Sequence, residues 1–238
     1  MTKIDLKDIQ QKLYERLKPS GWGDKLKGFI LSDDFYNILD TLSQESQSGK
    51  HFTPVIKNLF RAFEECPYNE LKVIMVVGDP YTKANVADGI ALSCSNVNHV
   101  VPKSLLYFLR EIEQTVYPEE GYYYDPDLTR LANQGVLLLN AALTTTIGNT
   151  QQHAELWKPF TTYLFDTLNT NNTGLVYVFI GINVRHWKTH VSSKNNFKFF
   201  INHPSMSILT HRTHWDSGDL FNQINKILMN HYKTKIIW

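Results

Sequence analysis

Asp79, Asn140 and His203 each stand at the end of an apolar run, and together they offer a carboxylate, an amide and an imidazole. LKVIMVV (71–77) runs into Gly78-Asp79-Pro80-Tyr81, and GVLLL (135–139) ends at Asn140. LVYVFI (175–180) ends at Gly181, and FKFFI (197–201) runs into Asn202-His203-Pro204-Ser205. A carboxylate can hold a water or stabilise a cation, and an imidazole can donate to a developing anion. A carboxamide carries both a donor and an acceptor. Out of context, Asp79 before a proline is a turn residue, Asn140 satisfies loop backbone, His203 is solvated and Tyr81 packs. Only the elements that bring them together separate these readings.

Apolar runs of five to seven residues, rich in β-branched and aromatic side chains and separated by helical patterns, predict buried strands of a parallel sheet. In open α/β sheets the ligand sits beyond the carboxyl ends of the strands. Asp79, Asn140 and His203 are therefore expected to line one crevice. Around the strands, residues 5–17 form an amphipathic pattern through Leu6, Ile9, Leu13 and Leu17, and Ser32 is placed to cap a helix over Asp33–Leu42. Further helices are predicted over Phe52–Phe63, Lys103–Val116, Leu128–Asn133, Trp157–Leu168 and Phe221–Tyr232. The fold class is α/β, a central four-stranded mostly parallel sheet flanked by helices. No linker or repeat divides the 238 residues, so residues 1–238 are expected to form a single domain.

Composition narrows the classes. At 42% hydrophobic residues the chain has the material for a packed core. No apolar stretch approaches the ~18–20 residues of a membrane span, and the polar start MTKIDLKDIQQ does not read as a signal peptide. Cys66 and Cys94, outside CxxC spacing, give neither a disulfide framework nor a structural zinc site. A cytoplasmic, reducing location is expected. Net charge is only +1, but it is unevenly placed. From Thr167 to Trp215 there is no Asp or Glu, while Arg185, Lys188, Lys194, Lys198 and Arg212 contribute +5 beside five histidines. Between Glu111 and Asp127 stand six carboxylates and no Lys or Arg. The acid-free segment carries His203, so it is expected to form one wall of an electropositive mouth.

In order and spacing these residues resemble family I uracil-DNA glycosylases over nearly the whole chain. Trp22 through Leu42 resembles the family's N-terminal helix pair. Gly78-Asp79-Pro80-Tyr81 with Gly89-Ile90-Ala91-Leu92-Ser93 resembles its water-activating loop and uracil-pocket wall. Gln134 through Asn140 with Leu143-Thr144, and then His153-Ala154, is similar to its strand and pocket asparagine. His203-Pro204-Ser205 sits where the family carries its catalytic histidine and minor-groove loop, and Ile237-Trp238 resembles its usual C-terminus. Ser104 and Gly181 match the phosphate-clamping loops more loosely. The resemblance implies hydrolysis of the uracil–deoxyribose bond after the base is flipped from the duplex. Asp79 would hold the water and stabilise the sugar cation, and His203 would bond the departing uracil oxygen. Asn140 would read the uracil edge, and Tyr81 would exclude the thymine methyl. No metal or organic cofactor is implied, and the chain is expected to act as a monomer.

The departures from the family pattern point to weakened chemistry. Gly78 replaces a glutamine, which should loosen the loop. Thr82 replaces a histidine beside the attacking water, and Leu92 replaces the phenylalanine that stacks on uracil. Ser207 aligns with the leucine that wedges into the emptied duplex site, and Met206 and Ile208 are the neighbouring apolar candidates. An attenuated or inactive glycosylase homologue, with a mouth (Thr82, Ser104, Gly181, Pro204, Ser205, Met206, Ser207, Ile208) that binds DNA or an acidic DNA-mimicking inhibitor protein, is the first reading. The alternative is an active uracil-DNA glycosylase of base-excision repair. A different α/β enzyme or nucleotide-binding domain that shares the fold by descent is disfavoured, because the chain has neither GxGxxG nor GxxxxGK[ST].

Overall fold

In a computed structural model, described over residues 5–96, 100–192 and 196–238, four parallel strands form the centre of the molecule. They are β2 (Val73–Val77), β3 (Val136–Asn140), β5 (Val176–Ile180) and β6 (Phe197–Ile201), in the spatial order β3-β2-β5-β6. Every residue of β2, β3 and β5 is buried, as a parallel sheet covered on both faces requires. β6 is half-buried along its length, which suits an edge strand. The register places Val77 beside Asn140, and Ile180 beside Ile201. The strands thus end at one level, and their loops open on the same side.

The helices follow local signals. The Asp5 carboxylate accepts the N–H groups of Lys7 and Asp8 to start α1 (Leu6–Leu17), and the Ser32 hydroxyl accepts that of Phe35 to start α3 (Asp33–Gln47). Between them α2 (Trp22–Ile30) buries Trp22, Leu26 and Ile30. α5 (Lys103–Val116) has its expected bounds, and α6 (Thr129–Ala132) leads into β3. α7 (Ala154–Asn171) outruns the predicted Trp157–Leu168 at both ends and accommodates Pro159 in its second turn. α9 (Leu220–Tyr232) covers one end of the core. No helix among the described residues is long and apolar enough to cross a membrane.

One predicted helix is absent. Within Phe52–Phe63, Phe52 and Thr53 form a short strand, β1, paired with β4 (Thr145–Thr146). A 3-10 turn over Ile56–Asn58 and a short α4 (Arg61–Glu65) follow. Pro54 accounts for the difference: it lacks an N–H for the helix ladder and forces the residue before it out of the helical region. Two helical segments not expected from the pattern lie beside the strand ends. They are the 3-10 segment Ile182–Thr189 and α8 (Pro204–Leu209).

Candidate active site

Because β2 is flanked by β3 on one side and β5 on the other, the chain reverses direction across the sheet between β2 and β5. Ligands in open α/β sheets occupy such a reversal point. A cavity of about 500 Å³ lies there, lined by Val77–Thr82 after β2, Asn140 at the end of β3, Ile180–Asn183 after β5 and His203 after β6. Leu92 closes one wall, as expected. The sheet thus collects three groups that span more than a hundred residues of sequence.

The polar groups are set differently from one another. Asp79 is half-buried, and burial raises its pKa, opposed by the Gln151 N–H that its Oδ2 accepts at 2.8 Å. The Tyr81 hydroxyl donates to the Leu92 carbonyl at 2.6 Å, and the Ser104 hydroxyl approaches it at 3.4 Å. The Tyr81 ring is therefore fixed against the Leu92 wall, and burial holds its phenol protonated. Asn140 is buried, yet its amide makes no side-chain hydrogen bond among the described residues. A buried amide is nearly always paired. Here its donor and its acceptor both remain available to a ligand in the cavity.

His203 is oriented by its own helix. It stands at the N-cap of α8, where Nδ1 accepts the Ser205 backbone N–H at 3.1 Å and contacts the Ser205 hydroxyl at 2.7 Å. A nitrogen that accepts a backbone N–H carries no proton, so the neutral ring bears its hydrogen on Nε2. Burial pushes the pKa down to about 4, keeping the imidazole neutral at physiological pH. Gly181, at φ +101°, passes so close that a Cβ would stand 3.1 Å from that of His203. A side chain there would be strained and would press on the imidazole.

This burial has a measurable consequence for folding. Unfolded, a histidine takes up its proton near pH 6.5, about the model-peptide value; folded, His203 does so only at about 4. Between those values the unfolded chain binds the extra proton. The contribution of neutral His203 is therefore intact above pH 6.5, is lost as pH falls to about 4, and levels off below. The loss amounts to about 3 kcal/mol at most. Urea unfolding at pH 7 and pH 4 should show this component in the parent protein and not in His203→Gln. Equal pH dependence in the two proteins would refute it.

The mouth differs from the sequence expectation in several respects. Thr82, Ser104, Gly181, Ser205 and Met206 line the cavity. Pro204 and Ser207 are buried, Ser207 at 6% exposure, and Ile208 is half-buried outside the lining. The helical turn of α8 explains this. It points Ser207 inward, so neither Ser207 nor Ile208 presents a side chain to the opening. Met206 and Leu209 instead share a helix face, three residues apart, at 48% and 70% exposure. Leu209 was not among the sequence candidates, because only the helix reveals which positions face out.

The basic residues also spread more widely than a single mouth. Among the described residues, no Lys or Arg lines the cavity. Lys198 lies beside Tyr177 low on the sheet, and its Nζ donates to the Val191 carbonyl. Arg185 packs over the Phe200 ring at 4.9 Å. Lys194 lies outside the described residues. The acid-free segment does supply a wall through Gly181, His203, Ser205 and Met206, but its described cations are not on that wall.

Two further supports escaped the sequence. Buried Asp88 accepts the Ile90 N–H, the Ser93 hydroxyl and the Ser95 N–H at 2.7–3.0 Å and pairs with Arg61 at 2.9 Å. These bonds fold the 88–95 turn that carries Leu92, itself left-handed at φ +64°. Gly78 does not leave the loop untethered: its carbonyl accepts the Ala142 N–H at 2.9 Å, and Val77 accepts that of Ala141 at 2.8 Å. A Cβ at Gly78 would have open space, its nearest neighbour being Asn183 at 4.0 Å.

No protein-family model matches the chain. A uracil-DNA glycosylase of Streptococcus pyogenes is 30% identical over 218 residues, 91% of this chain and 97% of the relative. The chain belongs to the uracil-DNA glycosylase family. Among solved structures, mimivirus uracil-DNA glycosylase superposes with a TM-score of 0.83 at 23% identity, covering 99% of this chain and 90% of that one. A substituted mimivirus UNG in complex with UGI superposes with a TM-score of 0.78 at 25% identity, over 93% of this chain and 90% of the other. The four-stranded sheet flanked by helices is thus the uracil-DNA glycosylase fold.

Proposed function

We propose that this glycosylase homologue excises uracil from DNA, at a rate attenuated by its altered pocket wall. The observation that carries the reading is Asn140: a buried amide with donor and acceptor unspent, sharing one cavity with Asp79 and His203. In this reading an extruded uracil enters between Tyr81 and Leu92, and Asn140 bonds its edge. Tyr81, tied to the Leu92 carbonyl, stands beside C5 and leaves no room for a methyl. As the glycosidic bond lengthens, negative charge gathers on the uracil oxygen and meets the Nε2–H of neutral His203. Positive charge on the sugar is matched by the Asp79 carboxylate, which also holds the incoming water. Leu92 gives no aromatic face for the base, and this is where the rate is lost. Uracil release from single-stranded DNA at high enzyme concentration tests the reading, and absence of any release would end it.

A second reading, binding of an inhibitor protein, has its own support. Two mimivirus UNG structures that share this fold are complexes with UGI. The family resemblance also implies acidic inhibitor proteins that mimic DNA. Ile182, Met206 and Leu209 are exposed at the cavity rim and offer such a protein an apolar contact. A protein mimic has no base to extrude, so weakened base handling does not penalise it. Titration calorimetry should show UGI binding at least about tenfold tighter than a uracil-containing duplex, a difference of about 1.4 kcal/mol. Tight duplex binding without UGI binding would overturn this second role.

A further inference from the structure

The Asp79 carboxylate takes its only side-chain hydrogen bond among the described residues from the backbone of a distant loop, the 2.8 Å contact with the Gln151 N–H. Gln151 is left-handed at φ +61°, a conformation a residue with a side chain adopts only under local constraint. Its own side chain is exposed. What the position supplies is therefore a main-chain donor.

The loop that carries it is fixed two residues on. His153 is buried, with Nδ1 2.8 Å from the Thr144 hydroxyl and Nε2 2.9 Å from the Glu45 carboxylate of α3. The Trp157 indole N–H donates to the same Thr144 hydroxyl at 2.7 Å. The loop is thereby held between α3, β4 and the start of α7, and a long flexible side chain has no part in aiming the N–H.

We propose that Gln151 is a positioning residue for Asp79, its backbone N–H holding the carboxylate in the orientation that bond cleavage requires. The proposal rests on the reading of Asp79 as the group that meets the sugar cation and the water. With Oδ2 held, Oδ1 is left to the cavity. The ionisable residues that line the cavities beside Asp79 are, among the described residues, Tyr81 from its own loop, His203 after β6, Glu155 and Lys158 on α7, and His186 on the 3-10 segment. Glu155 and Lys158 pair with each other at 3.4 Å. The Gln151 N–H thus bonds the carboxylate directly, where these groups surround it.

The test replaces Gln151 with the corresponding α-hydroxy acid, so that an ester oxygen stands where the N–H was. Asp79 should then titrate at higher pH by carboxyl ¹³C NMR, because burial remains and the bond that favours the anion is gone. The acid limb of kcat/KM for uracil release should move up with it, and kcat should fall about tenfold with little change in KM. Gln151→Gly, which keeps the N–H, should leave the Asp79 titration at its parental position. In an Asp79→Asn background the ester should cost no further activity. An unchanged Asp79 titration in the ester protein, or an equal loss in the Asp79→Asn background, would overturn the proposal. If Asp79→Asn itself leaves excision intact, the reading of Asp79 fails, while the titration still reports on Gln151.

Discussion

His203→Ala should slow uracil release from single-stranded DNA by about two to three decades, the usual cost of removing one preorganised donor to a developing oxyanion. The size of the effect follows from the state of the ring. A half-buried imidazole whose pKa is pushed down to about 4 is neutral through the working range, and its Nδ1 is already committed to the Ser205 N–H. Only Nε2–H is left to donate, and a neutral donor draws its strength from the low-dielectric surroundings. The loss should appear in kcat more than in KM, because the bond strengthens only as charge develops. The rate should stay flat from pH 8 down to the limb set by Asp79, with no inflection near 6.5. An inflection there that vanishes in His203→Ala would mean that the imidazole works as a cation and that the neutral-donor account is wrong.

Legibility in the sequence divided along physical lines. Three of the four strands were readable because a parallel sheet buried on both faces demands uninterrupted apolar runs, and Val73–Val77, residues 136–139 and Val176–Ile180 are such runs, whereas the half-buried edge strand Phe197–Ile201 tolerates Lys198. Strand ends then placed Asp79, Asn140 and His203 together without knowledge of any contact. What the pattern did not show depended on main-chain geometry. Gln151 acts through its N–H, which every residue except proline possesses, so its side chain carries no signal. Leu209 faces the mouth only because residues 204–209 wind into a helix, and six residues with buried Pro204 and Ser207 give too little periodicity to reveal one. The charge run from Thr167 to Trp215 was real as composition, yet a strand and a 3-10 segment running through it carry Lys198 and Arg185 to places off the cavity wall. A charge count along a chain that crosses the sheet does not locate a patch.

Uracil release from duplex DNA should run at least about 100-fold more slowly than in a family member with an aromatic wall, and Leu92→Phe should recover about one decade or more. Loss of base–aromatic stacking costs ~1–3 kcal/mol, or about one to two decades in rate. The remainder is assigned to handling of the emptied duplex site. Here the structure redirects the experiment. Ser207, which aligns with the family's wedge leucine, is buried, and a leucine placed there would overpack α8 against its neighbours at a typical cost of 1–3 kcal/mol, roughly. The exposed apolar pair is Met206 and Leu209, and both line the mouth. Truncating them as Met206→Ala with Leu209→Ala should lower release from duplex by about tenfold or more, since unstacking a base step costs a few kcal/mol that an inserted apolar group helps to offset. Release from single strands, where no stack closes behind the base, should change little. Equal losses on the two substrates would show that the pair acts on the pocket and not on the duplex. Ordinary family turnover in the unmodified chain would show that Leu92 costs nothing. The two sets of substitutions act at different stages, Leu92 on the base already in the cavity and the Met206–Leu209 pair on the duplex it leaves. Their effects on duplex release should therefore combine nearly additively, provided that base capture and extrusion do not share a rate-limiting step.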